Sequence, residues 1–252
     1  MQSTWVNKNN SEKLIIFFNG WSLDENIVNH LTSEEFDVLM LYDYADFEIS
    51  QETIEKINSY GEINLIAWSF GVWACGNVIN HFNNLKNAIV INGTLIPIDN
   101  NLGLPEKIFN LTLTHLSEEN YIRFFRNMFV GEADLNKLPK RLMENQKQEL
   151  QQIQKLATGK SCADNINFFN KVFIGTNDKI ISAKNQLNFW GKDNEAQSKP
   201  NKLNNGRIAI PPYEYDSSQA LIAPQRKAQI VQIESGHYIF DLFKTWDDVI
   251  NG

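Results

Sequence analysis

Short runs rich in apolar and β-branched residues recur at Leu14–Phe18, Asp37–Tyr42, Ile63–Trp68, Ala88–Ile91, Val172–Ile174 and Gln229–Ile233, with longer mixed segments between them. Runs of this length read as strands buried on both faces, and their alternation with helix-length segments predicts parallel strands joined by crossovers. The expected class is therefore α/β. Two segments break the alternation. Residues 105–160 carry apolar residues at helical spacing and no strong strand, which predicts an inserted helical cap on a single domain spanning 1–252. Within it, Tyr121, Ile122, Phe124, Phe125, Met128 and Phe129 exceed what one packing stripe needs, so this stretch either lines a groove in part or is ordinary packing. Residues 191–226 are polar, contain Gly206, Pro211, Pro212 and Pro224, and read as a loop excursion whose order the pattern does not define.

Composition narrows the function classes. A chain of 252 residues with 42% hydrophobic content suits a compact fold and excludes disordered or fibrous classes. The net charge of −7 argues against nucleic acid as a partner unless a local basic patch meets it. No apolar run approaches the roughly 20 residues of a membrane helix, and no basic-then-apolar leader opens the chain, so the expectation is a cytoplasmic protein away from membranes. Cys75 and Cys162 are far apart and lack ligand spacing, which predicts buried free thiols and neither a disulfide nor a metal site.

The string Ile63-Asn64-Leu65-Ile66-Ala67-Trp68-Ser69-Phe70-Gly71-Val72-Trp73-Ala74 reads as strand, sharp turn and helix. A serine in that turn sits on a strained elbow with its hydroxyl exposed at the carboxyl end of the strand, provided the residues two before and two after it are small. Ala67 and Gly71 meet the requirement, although glycine is usual at the first position. The competing reading is a plain helix N-cap. Earlier, Leu14–Phe18 runs into Asn19-Gly20-Trp21, where Gly20 permits an unusual backbone turn. A backbone N–H from such a loop, together with that of the residue after the nucleophile, forms an oxyanion hole in this class of site, so Trp21 and Phe70 are the candidate donors. Each donor contributes on the order of 3 kcal/mol of barrier lowering.

Two later strand ends complete the constellation. Val172–Ile174 leads to Gly175-Thr176-Asn177-Asp178, and Gln229–Ile233 leads to Glu234-Ser235-Gly236-His237. Ser69, Asp178 and His237 reproduce the chain order serine, acid, histidine of the α/β-hydrolases, with His237 as proton carrier and Asp178 fixing its tautomer. His30, His81 and His115 follow no late strand, and Asp43 and Glu234 are weaker candidates for the acid. Cys75, a turn beyond the elbow, faces packing.

Phe18-Asn19-Gly20-Trp21, Tyr42-Asp43-Tyr44, Ala67–Ala74, Asn177-Asp178-Lys179-Ile180 and Gly236-His237-Tyr238 resemble the BioG-type pimeloyl-[acyl-carrier protein] methyl ester esterases. The similarity runs from Leu14 to Asp178, includes Asn185-Gln186 and Phe189-Trp190, and resumes near Gln229. The 191–226 stretch departs from it. About a dozen residues precede the first strong strand, too few for a full antiparallel hairpin, so the expected fold is a mostly parallel α/β-hydrolase sheet with trimmed N-terminal strands and an inserted helical cap.

The resemblance implies hydrolysis of the methyl ester of pimeloyl-acyl carrier protein in biotin precursor synthesis, with no cofactor and no metal. Acyl carrier protein is the implied partner. Residues 121–155 hold seven basic side chains (Arg123, Arg126, Lys137, Lys140, Arg141, Lys147 and Lys155) against four acidic ones, a basic island on an acidic chain. Such an island suits an acidic carrier, or is simply a solvated helix face. Phe124, Phe125 and Met128 are the candidate acyl-chain contacts, and Arg123 and Arg126 the candidate carrier contacts. Two other functions remain open on the residues alone: a thioesterase or small-ester carboxylesterase, and a non-catalytic binding module on the same fold.

Overall fold

The computed structural model describes residues 1–157, 162–191 and 228–252. Apart from Gly191, the expected excursion over 191–226 lies outside the described residues, as do residues 158–160 of the 105–160 segment.

Among the described residues seven strands form one sheet: β1 (Gln2–Asn7), β2 (Lys13–Phe18), β3 (Asp37–Tyr42), β4 (Glu62–Trp68), β5 (Leu85–Ile91), β6 (Lys171–Gly175) and β7 (Gln229–Ile233). Their order is β1-β3-β2-β4-β5-β6-β7, parallel throughout except that β1 runs antiparallel to β3. The apolar runs mark six of these strands. β1 went unmarked because it is an edge strand with half-exposed and exposed residues, which lack a continuous apolar run. So the amino-terminal side is reduced to one antiparallel strand, not a hairpin.

Successive residues of the central strands feed two separate cores. Leu14, Ile16, Phe18, Leu65 and Ala67 face one layer with α1 (Gln51–Asn58), α2 (Phe70–Val78) and α6 (Ala183–Trp190). Ile15, Phe17, Ile66 and Trp68 face the other, against the 25–27 turn and α7 (Trp246–Asn251). Burial on both faces explains the unbroken apolar strands. Between β5 and β6 lie α3 (Glu106–Thr114), α4 (Glu118–Arg126) and α5 (Met143–Ala157).

The strand order places the site. From β2 the chain moves outward to β3, whereas β4 lies on the opposite side of β2, so the order reverses between β2 and β4. In open α/β sheets ligands bind in the crevice at such a switch point, beyond the strands' carboxyl ends. Gly20-Trp21 leaves β2 there, and Ser69 leaves β4 beside it.

Candidate active site

Ser69 occupies the step from β4 to α2 with φ 57° and ψ −127°, a conformation that costs a non-glycine residue about 1–3 kcal/mol and persists only where neighbours enforce it. Neighbours do. The Ser69 amide donates to Ile91 O at 3.0 Å, and its carbonyl accepts from Val72 N at 3.1 Å. Although Ser69 stands at the N-cap of α2, its side chain makes no capping bond, so capping does not account for a serine here. Gly71 explains the requirement for a small residue two positions later: a Cβ there would lie 2.3 Å from Phe18 O, where α2 crosses the end of β2.

His237 and Asp178 meet across two loops. His237 Nδ1 lies 2.8 Å from Asp178 Oδ2, both side chains being almost wholly buried. The other Asp178 oxygen accepts from the amides of Ile180 (2.8 Å) and Ile181 (3.0 Å), while Gln186 Nε2 donates to Oδ2 at 2.9 Å. Four donors thus fix one carboxylate, leaving it little freedom except to orient the imidazole. The histidine loop is held equally firmly. His237 O accepts from Trp68 Nε1 (2.9 Å) and Asn92 Nδ2 (2.8 Å), Gly236 O also accepts from Asn92 Nδ2 (3.0 Å), and Asn92 Oδ1 accepts from Gly175 N (2.7 Å). Asn92, at φ 44° just beyond β5, therefore joins β6 to the His237 loop.

Ser69 and His237 line the same apolar cavity, together with Gly20, Trp21, Phe70, Phe109, Phe124 and Met128 among others. Ser69 Oγ and His237 Nε2 make no hydrogen bond to another described residue. Such bonds often tighten only when substrate is bound. The Phe70 amide is the first of α2 and so has no intrahelical acceptor. The Trp21 amide makes no hydrogen bond among the described residues.

Residues 1–199 match the family model described as pimeloyl-ACP methyl esterase BioG. The chain belongs to the BioG family. A crystal structure of BioG from Haemophilus influenzae superposes with a TM-score of 0.75 at 26% identity, covering 98% of each chain. An uncharacterised protein of Haemophilus influenzae is 33% identical over 183 residues, 71% of this chain and 82% of that one. A malonyl-[acyl-carrier protein] O-methyltransferase of Bacteroides fragilis is 34% identical over 189 residues, 72% of this chain but only 37% of that longer protein. An α/β hydrolase fold protein from Burkholderia ambifaria shares the architecture at a TM-score of 0.55 and 8% identity, covering 95% of this chain and 88% of that one.

Against this BioG framework, several expectations from sequence need correction. Gly20 does not adopt a left-handed backbone; the residue that does is Ser22, at φ 72°. Gly20 instead leaves room, since a Cβ there would sit 3.2 Å from Leu23 Cδ1 and 3.5 Å from Ser69 Cβ. Phe125 does not line the cavity. Phe124 and Met128 are four residues apart and share one face, whereas Phe125 points a third of a turn away and is buried against Phe129. The basic island is also smaller than counted. Lys137 is buried, with its Nζ 3.1 Å from Asp241 Oδ1 and 3.0 Å from Tyr238 OH. Arg141 turns inward between Glu149 (2.7 Å) and Asp43 (3.2 Å). Arg123 and Arg126 remain exposed, and Arg123 pairs with Glu119 one turn earlier.

The weaker candidates fall away on position. Asp43 serves Arg141, Glu234 is exposed, and His30, His81 and His115 do not line the cavity. Both cysteines are free and buried, and burial pushes the Cys162 thiol up to about 11 and the Cys75 thiol higher than usual as well. A thiol so raised is a poor nucleophile at neutral pH. Among the described residues no group of three or more His, Cys, Asp or Glu could hold a metal ion, and no helix is long and apolar enough to cross a membrane.

Proposed function

We propose that this BioG-family chain is a serine esterase that cleaves the methyl ester of pimeloyl-[acyl-carrier protein], releasing methanol and a free carboxylate. One observation carries the reading: a serine held in an elbow that its side chain does not cap shares an apolar cavity with a histidine bonded to a buried aspartate. Support for a carrier-linked substrate comes from the BioG family and from the carrier substrate in the name of the Bacteroides fragilis relative.

In this reading Ser69 Oγ attacks the ester carbonyl as His237 Nε2 takes its proton, and Asp178 stabilises the imidazolium through Nδ1. The Phe70 and Trp21 amides receive the developing oxyanion. His237 returns the proton to the departing methoxide, and methanol leaves. Water then attacks the acyl-enzyme with His237 as base, freeing the carboxylate. A methylene chain needs apolar contact along its length, which Phe109, Phe124 and Met128 offer in the cavity wall. We assign α3–α5 as the cap over that chain, with the carrier held outside by its exposed arginines.

Mass spectrometry of products from methyl pimeloyl-carrier protein tests the reading. The expected products are methanol and pimeloyl-carrier protein, and Ser69→Ala should lose about 10⁴-fold or more of kcat without a change in Tm. Undiminished turnover in Ser69→Ala would overturn the serine mechanism. Release of free carrier would show thioester cleavage instead.

A further inference from the structure

The BioG-family chemistry described above uses groups from the sheet and its loops, yet the oxyanion side rests on a buried ionic assembly that it does not employ. Glu149, on α5, is fully buried and accepts three N–H donors: Ser22 N at 3.2 Å and Arg141 Nη1 at 2.7 Å on Oε2, and Tyr44 N at 3.0 Å on Oε1. Arg141 reaches back to Asp43 at 3.2 Å. One carboxylate thereby ties together the loop after β2, the turn after β3 and the α5 helix. The Ser22 it grips follows Trp21 directly and stands at φ 72°, a region a serine leaves unless held. A second tie reinforces the first, since Ser22 Oγ and Tyr121 OH are 2.8 Å apart. A third runs from Trp21 Nε1 to Gln146 O at 2.8 Å, again on α5.

We infer that Glu149 is a positioning residue for the oxyanion hole: by accepting the Ser22 amide it holds this residue left-handed and keeps the preceding Trp21 amide directed at the cavity. The inference rests on the esterase reading and on Trp21 as an oxyanion donor. It implies that the β5–β6 helices complete the catalytic geometry as well as covering it. Burial raises the Glu149 carboxyl, with Arg141 and the Tyr44 amide opposing the rise. The ties are therefore kept against a desolvation cost, as expected where geometry is being held.

The experiment measures hydrolysis of a short aryl ester and fluorophosphonate labelling of Ser69 in the wild type, E149Q and the double variants E149Q/S22G and E149Q/S22A. Glutamine keeps the volume and leaves Arg141 paired with Asp43, but its amide group cannot accept every bond the carboxylate takes. E149Q should lower kcat and the labelling rate 10- to 100-fold while KM changes less than threefold. Glycine and alanine both lack the hydroxyl that Tyr121 meets, but only glycine adopts a positive φ readily, so kcat of E149Q/S22G should exceed that of E149Q/S22A at least fivefold. A role in stability alone would give neither the kcat-specific loss nor that difference between the double variants. If E149Q fails to fold, Y121F removes the second tie without a buried charge and should lower kcat three- to tenfold at unchanged KM; wild-type kcat in Y121F would then overturn the inference. A wild type that neither hydrolyses nor labels would sink the esterase reading together with the inference. A wild type that does both, matched by E149Q, overturns the inference alone.

Discussion

The two sides of the cavity are held by different physics. On the acid–histidine side the ties are mostly neutral: Trp68, Asn92 and Gln186 bond backbone carbonyls or Asp178, and every member except Gln186 sits on a strand or the loop that follows one. On the Trp21 side the ties come from the inserted helices and centre on a carboxylate, Glu149 accepting the Ser22 amide, with neutral bonds from Tyr121 and Gln146 beside it. The first side is set once the sheet has its register. The second is complete only when α5 has docked. Such a division lets the insertion adjust the Trp21–Ser22 loop through Glu149, while its reach to the histidine loop runs through Tyr238, whose amide donates to Met128 O at 2.8 Å.

The sharpest way to break this comparison is at Asp178. The substitution Asp178→Asn keeps the shape of the carboxylate but offers an N–H where His237 Nδ1 needs an acceptor, so the imidazole is left in the wrong tautomer. Steady-state kinetics on any ester should show kcat down about 10³- to 10⁴-fold with Tm little altered. A loss below tenfold would show that this side does not set the proton path, and the contrast would collapse.

Next in size is Asn92→Ala. It removes three buried bonds at once and puts a methyl-bearing residue at φ 44°, which asparagine tolerates better than alanine. Unpaired buried groups cost about 1–3 kcal/mol each, and two lose their partner outright because His237 O keeps Trp68. The expected destabilisation is about 3 kcal/mol, or a fall in Tm of roughly 6–12 °C. Since asparagine does not titrate, thermal denaturation should show the same deficit from pH 6 to 9. A deficit that varies strongly over that range would mean charge also matters on the supposedly neutral side.

Legibility in the sequence followed the same divide. Ser69, Asp178 and His237 stand where an apolar strand gives way to a glycine-bearing turn, so local pattern and chain order were enough to make them candidates, and the structure adds the His237–Asp178 bond and the shared cavity. Parallel strands buried on both faces announced themselves in the same way, as six apolar runs. β1 did not, because an edge strand needs no continuous apolar face. Asn92 and Gln186 give no local signal, since an amide at a strand end or in a helix looks like a surface residue until the sheet brings its partners close. Glu149 and Arg141 were harder still. They sit among exposed charges on α5 and the segment before it, and only the packed structure shows that these two turn inward. Counting cations along 121–155 therefore overstated the surface charge by including Lys137 and Arg141.

The smallest expected effect concerns the exposed cations that remain. α4 presents Phe124 to the cavity and Arg123 and Arg126 to solvent, so in the proposed reading one helix would meet both the acyl chain and whatever approaches the entrance. Arg123 is already paired with Glu119, but an exposed pair is worth only about 0–1 kcal/mol and yields to a stronger acidic partner at little cost. Arg123→Glu with Arg126→Glu changes the local charge by about four units, which should slow encounter with an acidic carrier and leave a neutral ester unaffected. The expected result is a fall of roughly tenfold in kcat/KM for methyl pimeloyl-carrier protein, against less than twofold for a short ester. Raising the salt should draw the wild type toward the variant, because screening weakens exposed charges first. Equal losses on both substrates would place the carrier elsewhere and confine α4 to the same role as α5, that of shaping the cavity from within.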